Sequence, residues 1–196
     1  MSGSRAIKPE EIKRVSKCLT GTRWEHRNRA ILYFLAYTAC RVSECRNITV
    51  SDCFGPDGEI KDLIRIKNTK NGDDRDLFIS QELKKRLKKY FSLKWKDFEP
   101  EGYGSSYIFE GERGRGKPFT QLGVQRVVNK FIKDAGVDCT SHGIRKGAIS
   151  ALRRTGKVDI EKCRVIGGWK DLRTIVNYWK ADEQEAIDAV NALNYG

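Results

Sequence analysis

Long apolar runs are missing from this 196-residue chain. The longest, residues 30–40, has 11 residues, about half of the roughly 20 that a membrane-spanning helix requires. The polar, charged N-terminus has no apolar stretch of secretory type. Only two histidines are present, and none of the six cysteines (Cys18, Cys40, Cys45, Cys53, Cys139, Cys163) stands in a Cys-x-x-Cys pair, which excludes the usual zinc patterns. Reduced thiols in a cytosolic or nuclear compartment are therefore expected. No internal repeat or low-complexity linker interrupts the sequence. The glycine-rich stretch from Gly111 to Lys117 lacks the Gly-Lys-Ser/Thr ending of a phosphate-binding P-loop and reads as a basic loop.

What the chain does have is positive charge. Thirty-eight Lys and Arg stand against 26 Asp and Glu, a formal charge of +12 and a pI near 9.5, which points to a polyanion as partner. An apolar content of 39% is enough for one domain with a real core.

The periodicity predicts mostly helices. Pro9, followed by Glu10 and Glu11, opens a first helix, since proline suits the first helical position and carboxylates suit the positive end of the dipole. Arg23 to Thr38 follows; it is apolar on nearly every side from Ala30 onward and is expected to be buried. Leu63 to Ile66 and Arg75 to Ile79 read as two strands around Asn71-Gly72, a hairpin-turn signal. Ser80 caps a helix to Lys94 with Leu83, Leu87, Tyr90 and Phe91 on one face, and Lys84, Lys85, Arg86, Lys88 and Lys89 on a solvated one. Tyr107 to Phe109 reads as a short strand, and Thr120 caps a helix to about Ala135. Ser141 is expected to cap a helix that Gly156 stops, and further helices cover Asp159 to Val165, Thr174 to Trp179 and Asp182 to Leu193. The fold class expected is α+β: a single, mainly helical domain over 1–196 with a small antiparallel sheet.

Against that framework a set of polar residues recurs at helical spacing. Arg41 and Glu44 stand three apart on a helical turn, so the carboxylate can orient the guanidinium. His142 and Arg145 also stand three apart, on a first helical turn, where both side chains leave one face and can converge on an anion. Lys70 lies on the predicted hairpin. Gly167-Gly168-Trp169 adds an indole donor, and Tyr178 a phenolic hydroxyl nine residues after it.

This ordered set resembles the tyrosine recombinase (phage integrase) family: an Arg-x-x-Glu box, a hairpin Thr-Lys (Thr69-Lys70), a His-x-x-Arg box, a Gly-His/Trp step and a tyrosine. Gly-Gly-Trp, where most members have Leu-Gly-His, and Gly147-Ala148 after the second box are most similar to the Cre-like branch. Lys146 stands where a histidine often follows the box arginine. The resemblance implies the DNA breaking-rejoining fold and a catalytic domain that cleaves and rejoins double-stranded DNA through a covalent 3′-phosphotyrosyl link. Tyr178 would be the nucleophile, and Arg41 and Arg145 the phosphate clamp. Trp169 would donate its N–H, Lys70 would be the acid for the 5′ oxygen, and His142 would accept or donate a proton. Glu44 would support the arrangement. Neither metal nor other cofactor is implied.

Members of the family commonly carry a separate N-terminal core-binding domain, which is expected to be missing here because only about seven residues precede the first helix. By the same resemblance the 182–193 segment would dock in trans, with a monomer in solution and a tetramer on DNA. A type IB topoisomerase-like or telomere-resolving enzyme shares this chemistry, and a non-catalytic integrase-derived DNA-binding protein shares the fold; both readings stay open on sequence alone.

Overall fold

The computed structural model describes residues 4–67, 74–111 and 116–179, together with Ile187, Val190 and Asn191. Eight α-helices and one hairpin are formed among them. In order they are α1 (Pro9–Cys18), α2 (Glu25–Thr38), α3 (Val50–Cys53), β1 (Leu63–Ile66), β2 (Arg75–Phe78), α4 (Gln81–Lys94), α5 (Gln121–Asp134), α6 (Ser141–Arg154), α7 (Ile160–Gly167) and α8 (Leu172–Trp179). The α+β class is the one the periodicity predicts.

The central element is α2. Ala30, Ile31, Leu32, Phe34 and Leu35 are all buried, so apolar side chains leave the helix in several directions and it packs against α1, α4, α5 and α6. Three helices, α4, α5 and α7, start where a hydroxyl or carboxylate satisfies a free backbone N–H. Ser80 Oγ accepts from the Leu83 N–H at 3.2 Å, Thr120 Oγ1 from Gly123 at 3.0 Å, and Asp159 Oδ1 from Lys162 at 2.7 Å.

In the antiparallel hairpin Ile64 faces Leu77 and Ile66 faces Arg75. Ile64 and Leu77 point into the core, whereas Arg65 and Asp76 pair outside at 3.1 Å, the alternation that a half-buried strand pair requires. The Asn71-Gly72 turn and Lys70 lie outside the described residues.

Three expectations are corrected. Tyr107 to Phe109 is not a strand: Tyr107 makes an isolated bridge to Thr49, and no ladder extends it. Thr140, not Ser141, is the N-cap of α6; the Ser141 N–H is held from another helix by Asn129 Oδ1 at 2.8 Å, which places Ser141 inside the first turn. Nor are Arg41 and Glu44 helical: they close a hydrogen-bonded turn between α2 and a short 3-10 segment, Cys45–Asn47, with the Glu44 N–H on the Arg41 carbonyl at 2.9 Å. Most of the 182–193 stripe lies outside the described residues, of which Ile187 and Val190 are exposed. Among the described residues no helix is long and apolar enough to cross a membrane. All six cysteines are unpaired.

Two ties position the helix that carries His142 and Arg145. The N-terminal segment lies along it, with the Ile7 N–H on the Gly143 carbonyl at 3.0 Å and Ile7 itself buried. Beneath its other end, Ala39, Ile149, Cys163, Trp169 and Ile175 form a small apolar cluster separate from the main core. That cluster is the floor of the site.

Candidate active site

Three chain segments meet on this floor: the end of α2 with the turn after it, the N-terminal half of α6, and the α7–α8 junction. The end of α2 is unusual, because Ala39, with no glycine to help, takes a left-handed conformation at φ 51°. That turns its carbonyl toward α6, where Arg145 Nη1 donates to it at 2.7 Å. Arg145 Nη2 donates to the Gly167 carbonyl at 2.6 Å, so one guanidinium bridges the other two segments.

Arg145 is 3% exposed, and the Trp169 ring covers it with the guanidinium carbon 4.4 Å from the centroid. Each glycine before Trp169 has its own steric reason. A Cβ on Gly167 would fall 1.8 Å from Trp169 Cζ3, so only a bare backbone lets the indole lie there. Gly168 sits at φ 64° and presses against Arg75, where a Cβ would be 2.4 Å from its Cδ.

Glu44, 7% exposed, organises the cations from the other side. Its Oε1 accepts from Arg41 Nη1 at 2.8 Å; its Oε2 accepts from the Arg41 backbone N–H and from Arg75 Nη2, each at 2.7 Å. Desolvation pushes the carboxyl upward, but the hydrogen bonds and charges of Arg75 and Arg41 outweigh it and hold Glu44 below the usual range, hence ionised. Burial, then the charges of Arg41 and Arg75, bring Arg145 down from 12.5 to about 10. Desolvation and then the charges of Lys146, Arg145 and Arg41 lower the exposed His142 below its ordinary 6.5, so the imidazole is neutral at physiological pH.

Arg41, Glu44, Arg145 and Trp169 are thus brought together, with His142 within electrostatic reach. Tyr178 falls on α8, next to this floor, but its side chain lies outside the described residues, as does all of Lys70. Sequence reasoning missed Arg75. The signal was present: in a period-2 strand Arg75 is in phase with the buried Leu77, where a charge needs a partner.

Two guanidiniums therefore bind one carboxylate with a third, Arg145, within electrostatic reach, and Arg41 keeps its Nε and Nη2 unengaged among the described residues. An excess of about two positive charges beside a mostly apolar floor is an anion site, and the planar donors suit the oxygens of a phosphate.

The sequence pattern of the phage integrase family matches residues 5–185. A probable integrase/recombinase protein of Methanocaldococcus jannaschii is 25% identical over 198 residues, 96% of this chain and 57% of that protein. Tyrosine recombinase XerA of Saccharolobus solfataricus is 26% identical over 176 residues, 89% of this chain and 51% of that protein. The chain thus spans about half the length of the curated relatives it matches. Among solved structures, the XerA recombinase crystal structure superposes with a TM-score of 0.74 at 22% identity, covering 100% of this chain and 66% of that one. XerH site-specific recombinase, in a post-cleavage complex with its palindromic difH substrate, gives 0.69 at 18% identity, covering 96% and 53%. These likenesses establish the fold.

Proposed function

The chain belongs to the phage integrase family, and from that premise we propose that it is the strand-breaking and rejoining domain of a site-specific tyrosine recombinase acting on double-stranded DNA. The observation that carries this reading is the clamp itself: Arg41 and Arg75 on the single carboxylate of Glu44, with Arg145 within electrostatic reach, an excess of positive charge that a phosphodiester would neutralise.

In this reading Arg41 and Arg145 hold the two non-bridging oxygens and Trp169 donates its indole N–H to the phosphate. The Tyr178 hydroxyl attacks phosphorus, its proton passing to the neutral His142, and the bond to the 5′ oxygen breaks as that oxygen takes a proton from Lys70. The energy of the cleaved bond stays in the phosphotyrosyl link, so attack by another 5′ hydroxyl rejoins DNA and frees the tyrosine. The Gly-Gly-Trp step supports reading the chain as closest in its motifs to Cre. As part of the same proposal, residues 1–196 form one catalytic domain, a monomer alone and a tetramer on DNA through the 182–193 segment.

Randomised DNA lets the test run without a defined target sequence. The full chain is incubated with a library of nicked suicide duplexes of randomised sequence, and covalent protein–DNA adducts are recovered from denaturing gels and sequenced. A recurring sequence in the adducts is expected, together with their loss in Tyr178→Phe, which removes only the hydroxyl. An adduct that persists in Tyr178→Phe would remove Tyr178 from the mechanism, and no adduct from the wild type would overturn the reading.

A further inference from the structure

We infer that Arg75 is a positioning residue for this site: it occupies one oxygen of Glu44 and so keeps Arg41 from closing both of its forks on that carboxylate. The inference rests on the clamp reading above and deepens it.

The geometry is specific. Arg75 comes from the first residue of β2, outside all the segments that supply the other groups, and its side chain is only 10% exposed. Nη2 reaches Glu44 Oε2 at 2.7 Å, Nη1 reaches the Ile166 carbonyl at 3.1 Å, and the bare Gly168 backbone packs on its aliphatic stem. One side chain therefore spans the turn that holds Arg41 and the junction that holds Trp169. Its Nε is buried without a hydrogen-bond partner among the described residues. An arginine kept there at that cost must be matched by something it holds in place.

The consequence lies in how Glu44 divides its oxygens. A carboxylate and a guanidinium alone favour a two-pronged pair, which is stronger and better defined than a single bond. Here the Arg41 side chain makes one bond to Glu44, through Nη1, because Arg75 and the Arg41 backbone N–H take the other oxygen. That leaves Nε and Nη2 of Arg41 for a phosphate. Without Arg75, Arg41 turns its second prong to Glu44 and withdraws it from the substrate.

The groups facing Glu44 are Cys40, Arg41 and Cys45 from its own segment, Arg75 from the hairpin and Arg145 from α6. Both thiols are pushed up by burial, Cys40 to about 12, so neither titrates near neutrality. Arg75 is the strongest of the influences that keep Glu44 ionised against its burial, and its loss should therefore raise the pH at which Glu44 protonates.

The experiment compares wild type with Arg75→Met, Arg75→Lys, Glu44→Gln and the double variant Arg75→Met/Glu44→Gln. It follows adduct formation on the recovered duplex and binding of tungstate, a tetrahedral oxyanion that needs only the clamp. Arg75→Met should lower the maximal rate of adduct formation about 100-fold with little change in half-saturating DNA, the size of effect a small misplacement of a catalytic group produces. Tungstate should bind about 10-fold more weakly, and the acid limb that Glu44 sets should move up. Arg75→Lys, which keeps the charge but not the fork, should restore the acid limb and recover the rate only in part. Because Arg75 acts through Glu44, the double variant should be no slower than the slower single one.

Unchanged rate and pH profile in Arg75→Met, or losses that multiply in the double variant, would overturn the inference. Should Arg75→Met fail to fold by circular dichroism, Arg75→Lys decides it, and a wild-type rate there overturns it. A wild type that binds tungstate yet forms no adduct defeats the recombinase reading while the tungstate series still tests Arg75; one that does neither defeats both.

Discussion

Two parts of this molecule are rich in cations, and they are built in opposite ways. On α4 four of the six cations have an acid of their own: Lys84 pairs with Asp62 at 2.8 Å, Arg86 with Glu82 at 2.7 Å, Lys88 with Glu59, and Lys94 with Glu110 at 2.9 Å. Arg86 also lies over the Tyr33 ring at 3.9 Å. The solvated face expected there is thus largely neutralised, with Lys85 and Lys89 as exceptions among the described pairs. At the candidate site Arg41 and Arg75 share one acid, and Arg145 is buried beside them on two backbone carbonyls. Sequence charge counts both regions alike; only the second leaves charge unmatched where water is scarce, which is what makes an anion site.

The sharpest break of this contrast is Arg145→Ala. It should cut adduct formation about 1000-fold, the upper end for loss of one donor set aimed at developing charge. It should also cost stability, about 1–3 kcal/mol for each of the Ala39 and Gly167 carbonyls it orphans, read by urea unfolding. A clamp whose arginine can be removed without loss of rate would be no different from α4.

Gly167→Ala should come next. The added methyl cannot share space with Trp169, so the indole must leave the guanidinium, with about a 100-fold lower rate and about 1–3 kcal/mol of lost stability from overpacking. A wild-type rate would mean that the Trp169 cover is dispensable.

A smaller effect is expected from pH. His142 titrates below 6.5, so its neutral, proton-accepting form prevails at neutral pH and is lost only as pH falls through that lowered value. Adduct formation should drop about 10-fold as that form is lost, and His142→Phe should remove this limb while leaving the one that Glu44 sets. A limb at or above 6.5 would contradict the influence of desolvation and of the neighbouring cations.

Least of all should change on α4. Lys88→Met removes half of an exposed pair and should shift stability by less than about 0.5 kcal/mol and the rate by less than about twofold. A large loss there would erase the distinction between the two regions and make α4 a DNA-binding face.

Much of this was legible in residue order. The caps at Ser80 and Thr120, the buried α2 and the hairpin followed from patterns a few residues long, as did the pairing of Arg41 with Glu44. Errors arose where a neighbour distant in sequence decided the outcome. Asn129 holds the N–H of Ser141, which falls inside the first turn of α6 instead of at its cap, and Tyr107 to Phe109 found only an isolated bridge. Arg75 stayed hidden because its partners, Glu44 and Ile166, lie 31 and 91 residues away.

By itself, then, the sequence determined the local elements, the excess of positive charge, and the residue types able to hold a phosphate, because helix periodicity, capping and side-chain chemistry act within a turn or two. Tertiary structure alone decided which cations are buried and which are answered. It brought two guanidiniums onto one carboxylate with a third close by, bent Ala39 into a left-handed turn to meet Arg145, and laid Trp169 on the bare Gly167 backbone. Burial and charge sharing depend on distances between remote segments, and those exist only once the chain has folded.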